Sequence, residues 1–292
     1  IGMKLALGAN ETPKYVTFTT DDNVLPTAGT VNADGTFSAS ALTNTLTVET
    51  DRKEFTVGLL PVGVASKMSV HVTTTDGMTY SDKSFQLAGL KRNTHYTMNV
   101  PCRTKRFMLT VPDGVNSKYG TGTYGDNGFF QVEPQYDPES IFDGWHFLRS
   151  EIKSDKDAAN GDVLKNRNRI QLQATIANSA QNGAFVTPPI QCDGTKTVRV
   201  SFTAATNTII ANPVEYRIGV TNNGADISEN FLRSFDNIQS SETGTCPWRY
   251  SGSVSRTHTF TVANGQRIMM KLSTNCGSSY HLELADFTYT VE

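Results

Sequence analysis

The chain has little charge and almost no charge imbalance. Its 292 residues include 26 Lys and Arg against 28 Asp and Glu, a formal net charge of -2. No basic run interleaved with aromatic residues offers a patch for phosphates, so the sequence argues against nucleic-acid binding. With 37% hydrophobic residues, the chain is nevertheless apolar enough to bury real cores.

Long apolar runs are also missing. None approaches the roughly 20 residues that a membrane-spanning helix needs. The chain begins Ile1-Gly2, without an initiator Met or a basic-then-apolar leader, so any export signal or lipid anchor would have been trimmed away. The first strand, Met3 to Leu7, begins abruptly, and we expect a segment upstream of it. Membrane contact is expected only through a lipid anchor outside these residues.

Cysteine is scarce and is not arranged for metal binding. The four cysteines form no CxxC pair, and no histidine lies beside them at ligand spacing, so a zinc site has little support. Cys246 and Cys276 share one Gly/Ser/Thr-rich region and would be the disulfide pair in an exported protein. The alternative is that the cysteines are isolated buried thiols, which behave as small hydrophobes.

Helical periodicity is absent over any useful length, and period-2 alternation takes its place. Met68 to Thr73 alternates apolar and polar residues, and Asp76-Gly77 then predicts a tight hairpin turn. Asn264-Gly265 predicts a second hairpin. The sequence therefore predicts an all-β fold that consists of two antiparallel β-sandwich domains. Residues 1–111 form the first, 112–140 a Gly/Pro/aromatic linker, and 141–292 the second, a jelly roll.

The first domain resembles the sandwich domain of Bacteroidales fimbrillins and fimbrillin-like cell-surface proteins. The residues that carry the resemblance are Leu60-Pro61, the turn Asp76-Gly77, Tyr80 and the run Lys91 to Tyr96. The resemblance implies an exported protein of the cell surface or outer membrane, often a lipoprotein, that takes part in pilus assembly or adhesion. Its implied partners are other pilus or surface subunits. It supplies no catalytic residues.

The second domain resembles the galactose-binding-like jelly rolls found in carbohydrate-binding modules and adhesins. The likeness lies in the last two strands, Gln266 to Leu272 and Tyr280 to Val291. Such domains often hold a structural calcium through a carboxylate of the last strand. Asp286 resembles that carboxylate, with Asp155, Asp157 and Asp162 as possible loop partners, because calcium prefers oxygen ligands. No other cofactor is expected.

The sequence offers no catalytic constellation. There is no GxSxG elbow, and the carboxylates that a glycosidase would need, among them Glu283 and Asp286, are not placed opposite one another. We therefore expect a protein that is not an enzyme.

A sugar site needs exposed aromatic faces with hydrogen-bonding neighbours. Trp248, Arg249 and Tyr250, in the segment 228–256, fit that description, and Trp145 beside His146 forms a second cluster. The burial tendency of Trp favours a core position for Trp145. For Trp248, a packed loop and an exposed platform both stay open. The expected function is non-catalytic adhesion or fimbria-associated binding through the jelly roll, with a glycan-binding accessory protein of polysaccharide uptake as the alternative.

Overall fold

The structure is a computed structural model of the whole chain. It describes residues 1–63, 65–87, 89–91, 93–110, 129–131, 142, 144–153, 164, 167–173, 182–206, 214–222, 224, 226–246, 252–273 and 281–292. The chain divides into two compact units. The first is Ile1–Arg106 with Glu292, and the second is Phe107–Val291. The division falls between Arg106 and Phe107, ahead of the domain end expected at residue 111.

The first unit contains only strands among its described residues. They are β1 Gly2–Leu5, β2 Pro13–Thr20, β3 Leu25–Val31, β4 Phe37–Thr43, β5 Thr45–Glu49, β6 Glu54–Thr56, β7 Ser66–Thr74, β8 Thr79–Leu87, β9 Thr97–Val100 and β10 Lys105–Met108. Strand β10 crosses the division, with Lys105 and Arg106 in the first unit and Phe107 and Met108 in the second.

In the first unit, one sheet has the order β10-β8-β7-β2-β5, a second has the order β6-β1-β9, and β3 and β4 pair with each other. The alternation in β2 and β7 turns Val16, Phe18, Met68, Val70 and Val72 into the core. The hairpin expected at Asp76-Gly77 is confirmed, because β7 and β8 pair as neighbours on either side of it.

The expectation of a wholly antiparallel first domain is wrong at one place. Strand β1 runs antiparallel to β6 but parallel to β9. A parallel pair cannot be joined by a tight turn and needs a long crossover connection. Here the chain from β2 to β8 supplies that connection, so no short-range sequence signal marks the pairing.

The second unit adds eleven strands and one short α-helix to the described residues. They are β11 Phe129–Gln131, β12 His146–Leu148, β13 Ser150–Lys153, β14 Arg169–Gln173, β15 Ala184–Val186, β16 Thr195–Thr206, β17 Val214–Val220, α1 Glu229–Arg233, β18 Gln239–Cys246, β19 Val254–Ala263, β20 Ile268–Leu272 and β21 His281–Val291. Residues 129–131, which the sequence places in the linker, thus form a strand.

Two antiparallel sheets make up the second unit. One has the order β13-β14-β21-β16-β19, and the other has the order β11-β12-β15-β20-β17-β18. The chain is therefore all-β with antiparallel sandwiches, as expected. The turn Asn264-Gly265, however, joins no hairpin. Strand β19 pairs with β16 and strand β20 with β15 and β17, so the turn carries the chain from one sheet to the other. The Gly265 N–H donates to the Ile190 carbonyl and fixes this crossing.

Sequence reasoning also missed α1 and β18, which lie in the segment expected to be a loop. The helix is a single turn whose N-terminus is capped by the Ser228 hydroxyl, which accepts from the Phe231 N–H at 3.2 Å. Strand β18 is almost entirely exposed, so it lacks the apolar alternation that marks a strand. No helix among the described residues is long and apolar enough to cross a membrane.

A bulge in β21 lets even-numbered residues before it and odd-numbered residues after it face the same core. Leu282 and Leu284 are buried at even positions, whereas Phe287 and Tyr289 are buried at odd ones. The ladder with β16 slips between these pairs, so that one extra residue of β21 is accommodated. Asp286 lies at this slip with φ 51°, in the left-handed region where Asp is tolerated better than most residues.

We expect Asp286→Val to destabilise the second unit, because a β-branched residue cannot adopt positive φ without strain. The loss should be on the order of 1–3 kcal/mol. Asp286→Asn should lose less than about 1 kcal/mol, because Asn tolerates the conformation and only a partly exposed ion pair is removed. Guanidinium unfolding of both variants measures the difference. Equal stabilities would show that the bulge does not constrain residue 286.

Candidate ligand-binding site

Trp145 is a core residue and not part of a binding platform. Its side chain is fully buried, and its ring lies 5.0 Å from Phe107, 5.5 Å from Phe185 and 5.8 Å from Phe147, centroid to centroid. The ligand-binding role considered for Trp145 is therefore corrected, because its ring is packed among other aromatic rings in the core. The neighbouring His146 is also buried, and burial together with the Arg267 charge lowers its pKa to about 4.

The other predicted aromatic site, Trp248, Arg249 and Tyr250, lies outside the described residues, so its platform stays a prediction. Cys276 lies outside them as well. Cys246 is a buried free thiol, which does not support the expected Cys246–Cys276 bond. Burial raises the pKa of the Cys246 thiol to about 12, so it is a poor nucleophile at neutral pH.

Asp286 contacts a cation that belongs to the chain. Its carboxylate forms an ion pair with the Arg167 guanidinium, which also donates to the Thr203 hydroxyl at 2.9 Å. Within the residues that the structure describes, no group of three or more His, Cys, Asp or Glu could hold a metal ion. The possible loop partners Asp155, Asp157 and Asp162 lie outside that part of the chain. A calcium site at Asp286 thus stays a prediction.

A row of polar side chains lies on one face of the sheet formed by β13, β14, β21 and β16. Strand β14 alternates between the core residues Ile170 and Leu172 and a second set that points to the opposite face. We call this second set, together with Glu283 of the neighbouring strand β21, the polar face. It consists of Arg169, Gln171, Gln173 and Glu283.

Register brings the members of the polar face together. Gln171 pairs directly with Glu283, and Arg169 Nη1 donates to Glu283 Oε2 at 3.0 Å. Both members of this ion pair are almost fully buried. An Arg–carboxylate pair of this kind holds both groups in one orientation.

Gln171 lacks a hydrogen-bond partner for one of its atoms. Its side chain is 2% exposed, and Oε1 accepts no hydrogen bond from the described residues. Leaving a buried acceptor unsatisfied costs about 1–3 kcal/mol. Such groups are rare in folded proteins and call for an explanation, for example an occupant that is not part of the chain.

Small residues covered by Leu164 lie in the middle of the polar face. Ala205 pairs with Glu283, and Ala285 pairs with Arg169, so both alanines share the face with the polar side chains. Leu164 packs against these two alanines. The face is therefore polar along β14 and apolar where Leu164 covers the two alanines.

A histidine on β19 connects three strands but offers little chemistry. His258 Nδ1 lies 2.6 Å from Glu242 Oε2, and its Nε2 lies 2.9 Å from the Tyr216 hydroxyl. Tyr216 is fully buried, and burial raises the pKa of its hydroxyl. A ligand could reach only Glu242, so this chain of contacts stabilises the packing of β17, β18 and β19.

Lys271 is a fully buried lysine on β20. Its Nζ donates to the Asn182 carbonyl at 3.0 Å and lies 5.2 Å from the centroid of the Phe235 ring. Burial, with a smaller effect from the Arg233 charge, lowers the pKa of Lys271 to about 7. Lys271 faces α1 and its flanking residues and is not part of the polar face.

The first unit has an open cleft of about 820 Å³ along β1 and β9. Lys4, Asn99 and Arg103 contribute polar groups to it, and Val100 and Pro101 contribute apolar surface. Lys4 is already paired with Glu54 at 2.9 Å. The cleft is open to solvent and belongs to the first unit, so a substitution in it is a control for the polar face.

No family model and no curated protein sequence matches the chain. It is similar in structure to the C-terminal CBM6 of the laminarinase LamC from Zobellia galactanivorans, at 7% identity and a TM-score of 0.29, covering 50% of this chain and 90% of that one. It is also similar to the K1 cleaved adhesin domain of Lys-gingipain from Porphyromonas gingivalis W83, at 12% identity and a TM-score of 0.32, covering 61% and 98%.

A third similar structure is the arabinose-bound α-L-arabinofuranosidase MgGH51, at 11% identity and a TM-score of 0.35. The match covers 52% of this chain and spans about a quarter of the length of that enzyme, 24%. Likenesses with TM-scores this low carry no argument about function, which has to come from the chain's own residues.

The polar face was missed at the sequence level although its signal is present. The stretch from Arg169 to Gln173 alternates polar and apolar residues, which predicts a strand with one buried face. Its outward positions are Arg, Gln and Gln, which are large and rich in hydrogen-bonding groups, whereas an exposed sheet face often carries Thr, Ser or Lys. Glu283 was considered as an isolated carboxylate. Only the pairing of β14 with β21 places it beside Gln171.

We expect Lys271→Met to raise the free energy of unfolding at neutral pH, with a gain that fades as the pH rises. The folded pKa of about 7 lies below the usual 10.5, so the unfolded chain binds more protons between these values and wild-type stability increases across that window. The gain at pH 7 should be roughly 3–5 kcal/mol at most. Denaturant unfolding at pH 7, 8.5 and 10 measures it.

Lys271→Arg is the matched control. Arginine keeps its charge over this whole range, so its variant should stay destabilised at pH 10 as well as at pH 7. A wild-type stability that does not rise relative to the Arg variant between these pH values would contradict the prediction.

Proposed function

We propose that this chain is a non-catalytic binding protein of the cell surface, and that its second unit binds a glycan at the polar face. The observation that carries the proposal is the buried Gln171 amide oxygen, which has no partner among the described residues. A sugar hydroxyl is a suitable donor to it. We therefore expect the hydrogen bonds of the polar face to be complete only when a ligand is bound.

The composition of the polar face suits a polyhydroxylated ligand. Each sugar hydroxyl both donates and accepts, so it matches a mixture of guanidinium, amide and carboxylate groups. The ion pair between Arg169 and Glu283 holds two of these groups in place before a ligand arrives, and such pre-organisation reduces the entropy lost on binding. Leu164 packs on Ala205 and Ala285 on the same face, and we expect it to move aside when the ligand enters.

The same geometry favours binding over catalysis. Glu283 is paired with Arg169 and Asp286 with Arg167. Carboxylates held this way are hydrogen-bond acceptors, whereas a glycosidase also needs one carboxyl group that donates a proton. The chemistry expected of these two residues is therefore recognition.

We further propose that glycan binding serves adhesion at the cell surface. The support is the resemblance of the first unit to fimbrillin-like proteins, on the residues given above, which implies export, anchoring through a lipid and association with other surface or pilus subunits. A glycan-binding accessory role in polysaccharide uptake is the alternative use of the same site.

The polar face is tested by Gln171→Leu, which replaces the amide with a smaller apolar side chain and so removes the unsatisfied oxygen. We expect stability to change by no more than about 1 kcal/mol, while binding to the best ligand of a glycan array falls at least tenfold. The probe is the whole labelled chain on an array of plant, algal and animal glycans, followed by titration of the strongest glycan.

The control is Asn99→Leu in the cleft of the first unit, which should bind as well as wild type. If wild type binds no glycan, or if Asn99→Leu loses binding while Gln171→Leu keeps it, the polar face is not the site.

Surface location is tested separately on the full natural precursor. A membrane-impermeant biotin reagent applied to intact cells should label it, and metabolic labelling with an azido fatty acid should reveal its lipid anchor. A protein that is labelled only after lysis would contradict a surface role, whatever the outcome of the glycan experiments.

A further inference from the structure

A lysine is buried between two carboxylates in the first unit. Lys105 Nζ lies 2.6 Å from Asp76 Oδ2 and 2.9 Å from Glu11 Oε1. The side-chain exposures are 1% for Lys105, 1% for Asp76 and 7% for Glu11. The three residues are far apart in sequence, on β10, in the turn between β7 and β8, and just before β2, so the fold alone brings them together.

Both carboxylates are held in fixed positions. Asp76 Oδ1 accepts from the Thr74 hydroxyl at 2.6 Å and from the Met78 N–H at 3.3 Å. Glu11 Oε1 accepts from the Tyr80 hydroxyl at 2.5 Å, and Oε2 accepts from the Gly8 N–H at 2.9 Å. The oxygen of Asp76 that faces the lysine is therefore Oδ2, while Oδ1 is bound by other donors.

Amide formation uses the neutral amine and the neutral carboxyl group of such a pair. Separated charges are costly in a medium of low dielectric constant, and transfer of one proton from an ammonium to a carboxylate removes both charges. The products are a neutral amine and a carboxylic acid in contact, which are the reactants for amide formation. Holding the amine and the carboxyl group in contact has the same effect on the reaction rate as a very high concentration of one of them.

We propose that Lys105 and Asp76 condense to an intramolecular isopeptide bond, with Glu11 as the catalytic base. A proton passes from Lys105 Nζ to Asp76 Oδ2, and the Nζ lone pair then attacks Cγ. Glu11 accepts a second proton from Nζ and delivers it to Oδ2. The Cγ–Oδ2 bond breaks, and the oxygen leaves as water with its electron pair. The net change is one ammonium and one carboxylate converted to one amide and one water, with Glu11 restored.

The hydrogen bonds on Asp76 fit the electron flow of this reaction. Negative charge develops on the carboxyl oxygen that stays, which is Oδ1, and the Thr74 hydroxyl and Met78 N–H already point at it. Donors arranged around a developing oxyanion stabilise it without reorganisation. The leaving oxygen, Oδ2, is the one in contact with the attacking amine.

Glu11 is held as a carboxylate, as a base must be. Burial alone would raise the pKa of Glu11, but the Lys105 charge and the hydrogen bonds from Tyr80, Lys105 and the Gly8 N–H outweigh it and lower the pKa. Glu11 can therefore accept a proton from Nζ, to which it is already hydrogen-bonded in the structure.

The bond would link the last strand of the first unit to the β7–β8 hairpin. The chain between Asp76 and Lys105 would become a closed covalent ring that resists unfolding. This consequence is independent of whether the second unit binds a glycan.

The test is mass spectrometry of the whole purified chain after denaturation. The expected mass is that of the sequence minus one water, and a protease digest should contain a branched peptide that joins the segments around Asp76 and Lys105, with no cleavage after Lys105. A digest of folded wild type that contains these two segments only as separate linear peptides would overturn the proposal.

One side reaction gives the same mass loss and needs its own control. The Asp76-Gly77 sequence can close to a cyclic imide, which also releases water. The imide opens in mild alkali and leaves Lys105 free, whereas the amide survives and keeps the branched peptide. A mass deficit that disappears in mild alkali therefore counts against the isopeptide bond.

Two variants separate the reaction from simple folding. Glu11→Gln keeps the shape of the base but cannot accept the proton, so the branched peptide should be absent although circular dichroism still shows a folded β protein. Lys105→Arg retains a cation and removes the nucleophile, and it should have the full mass. A branched peptide in folded Glu11→Gln at wild-type yield would rule out the role of Glu11. If neither variant folds, the wild-type digest decides the bond itself.

Discussion

Strand β21 forms hydrogen-bonded ladders with both β14 and β16, and the bulge at Asp286 changes which of its side chains face the core. Before the bulge, even-numbered residues face the core and Glu283 faces outward toward Gln171. After it, odd-numbered residues supply Phe287 and Tyr289 to the aromatic core around Trp145. Without the inserted residue, half of the strand would turn its rings to solvent or its carboxylate to the core. The polar face and the aromatic core therefore depend on the same backbone position.

The sequence was informative wherever a strand has one buried and one exposed face. Alternation from Met68 to Thr73 located β7, and Asp76-Gly77 located the first hairpin, because short-range chemistry controls both features. It failed for β18, whose residues are almost all exposed. There, Gly244 packs under the Tyr216 ring so closely that a Cβ would lie 2.2 Å from the ring atoms, a contact that exists only once β17 and β18 are paired.

Long-range pairing explains the remaining differences between expectation and structure. The parallel contact of β1 with β9 and the crossing at Asn264-Gly265 are decided by which strands meet, which no local motif encodes. The same holds for the polar face. Its residues were visible in the sequence, but their functional meaning depends on Gln171 lying beside Glu283 and on one oxygen that the chain leaves unsatisfied.

The two buried ionic clusters differ in the kind of cation they contain. Arg169 carries a planar guanidinium and no primary amine, so its contact with Glu283 is a fixed recognition element. Lys105 carries a primary amine between Glu11 and Asp76, so an amide bond can form there that Arg169 cannot form. Each unit thus places a buried cation against carboxylates, with different consequences because of the residue type.

The β3–β4 hairpin is a small two-stranded sheet whose strands pair only with each other in the described part of the chain. Leu25 anchors its base in the core, whereas Val31 and Leu42 are more than half exposed. Its tip is closed by its own contacts, with the Asp34 carboxylate accepting from the Thr36 N–H at 2.9 Å. Residues inserted at such an exposed tip do not disturb the core of either unit. The hairpin tip is accordingly the position at which a peptide tag or a fluorophore can be introduced while both units stay intact.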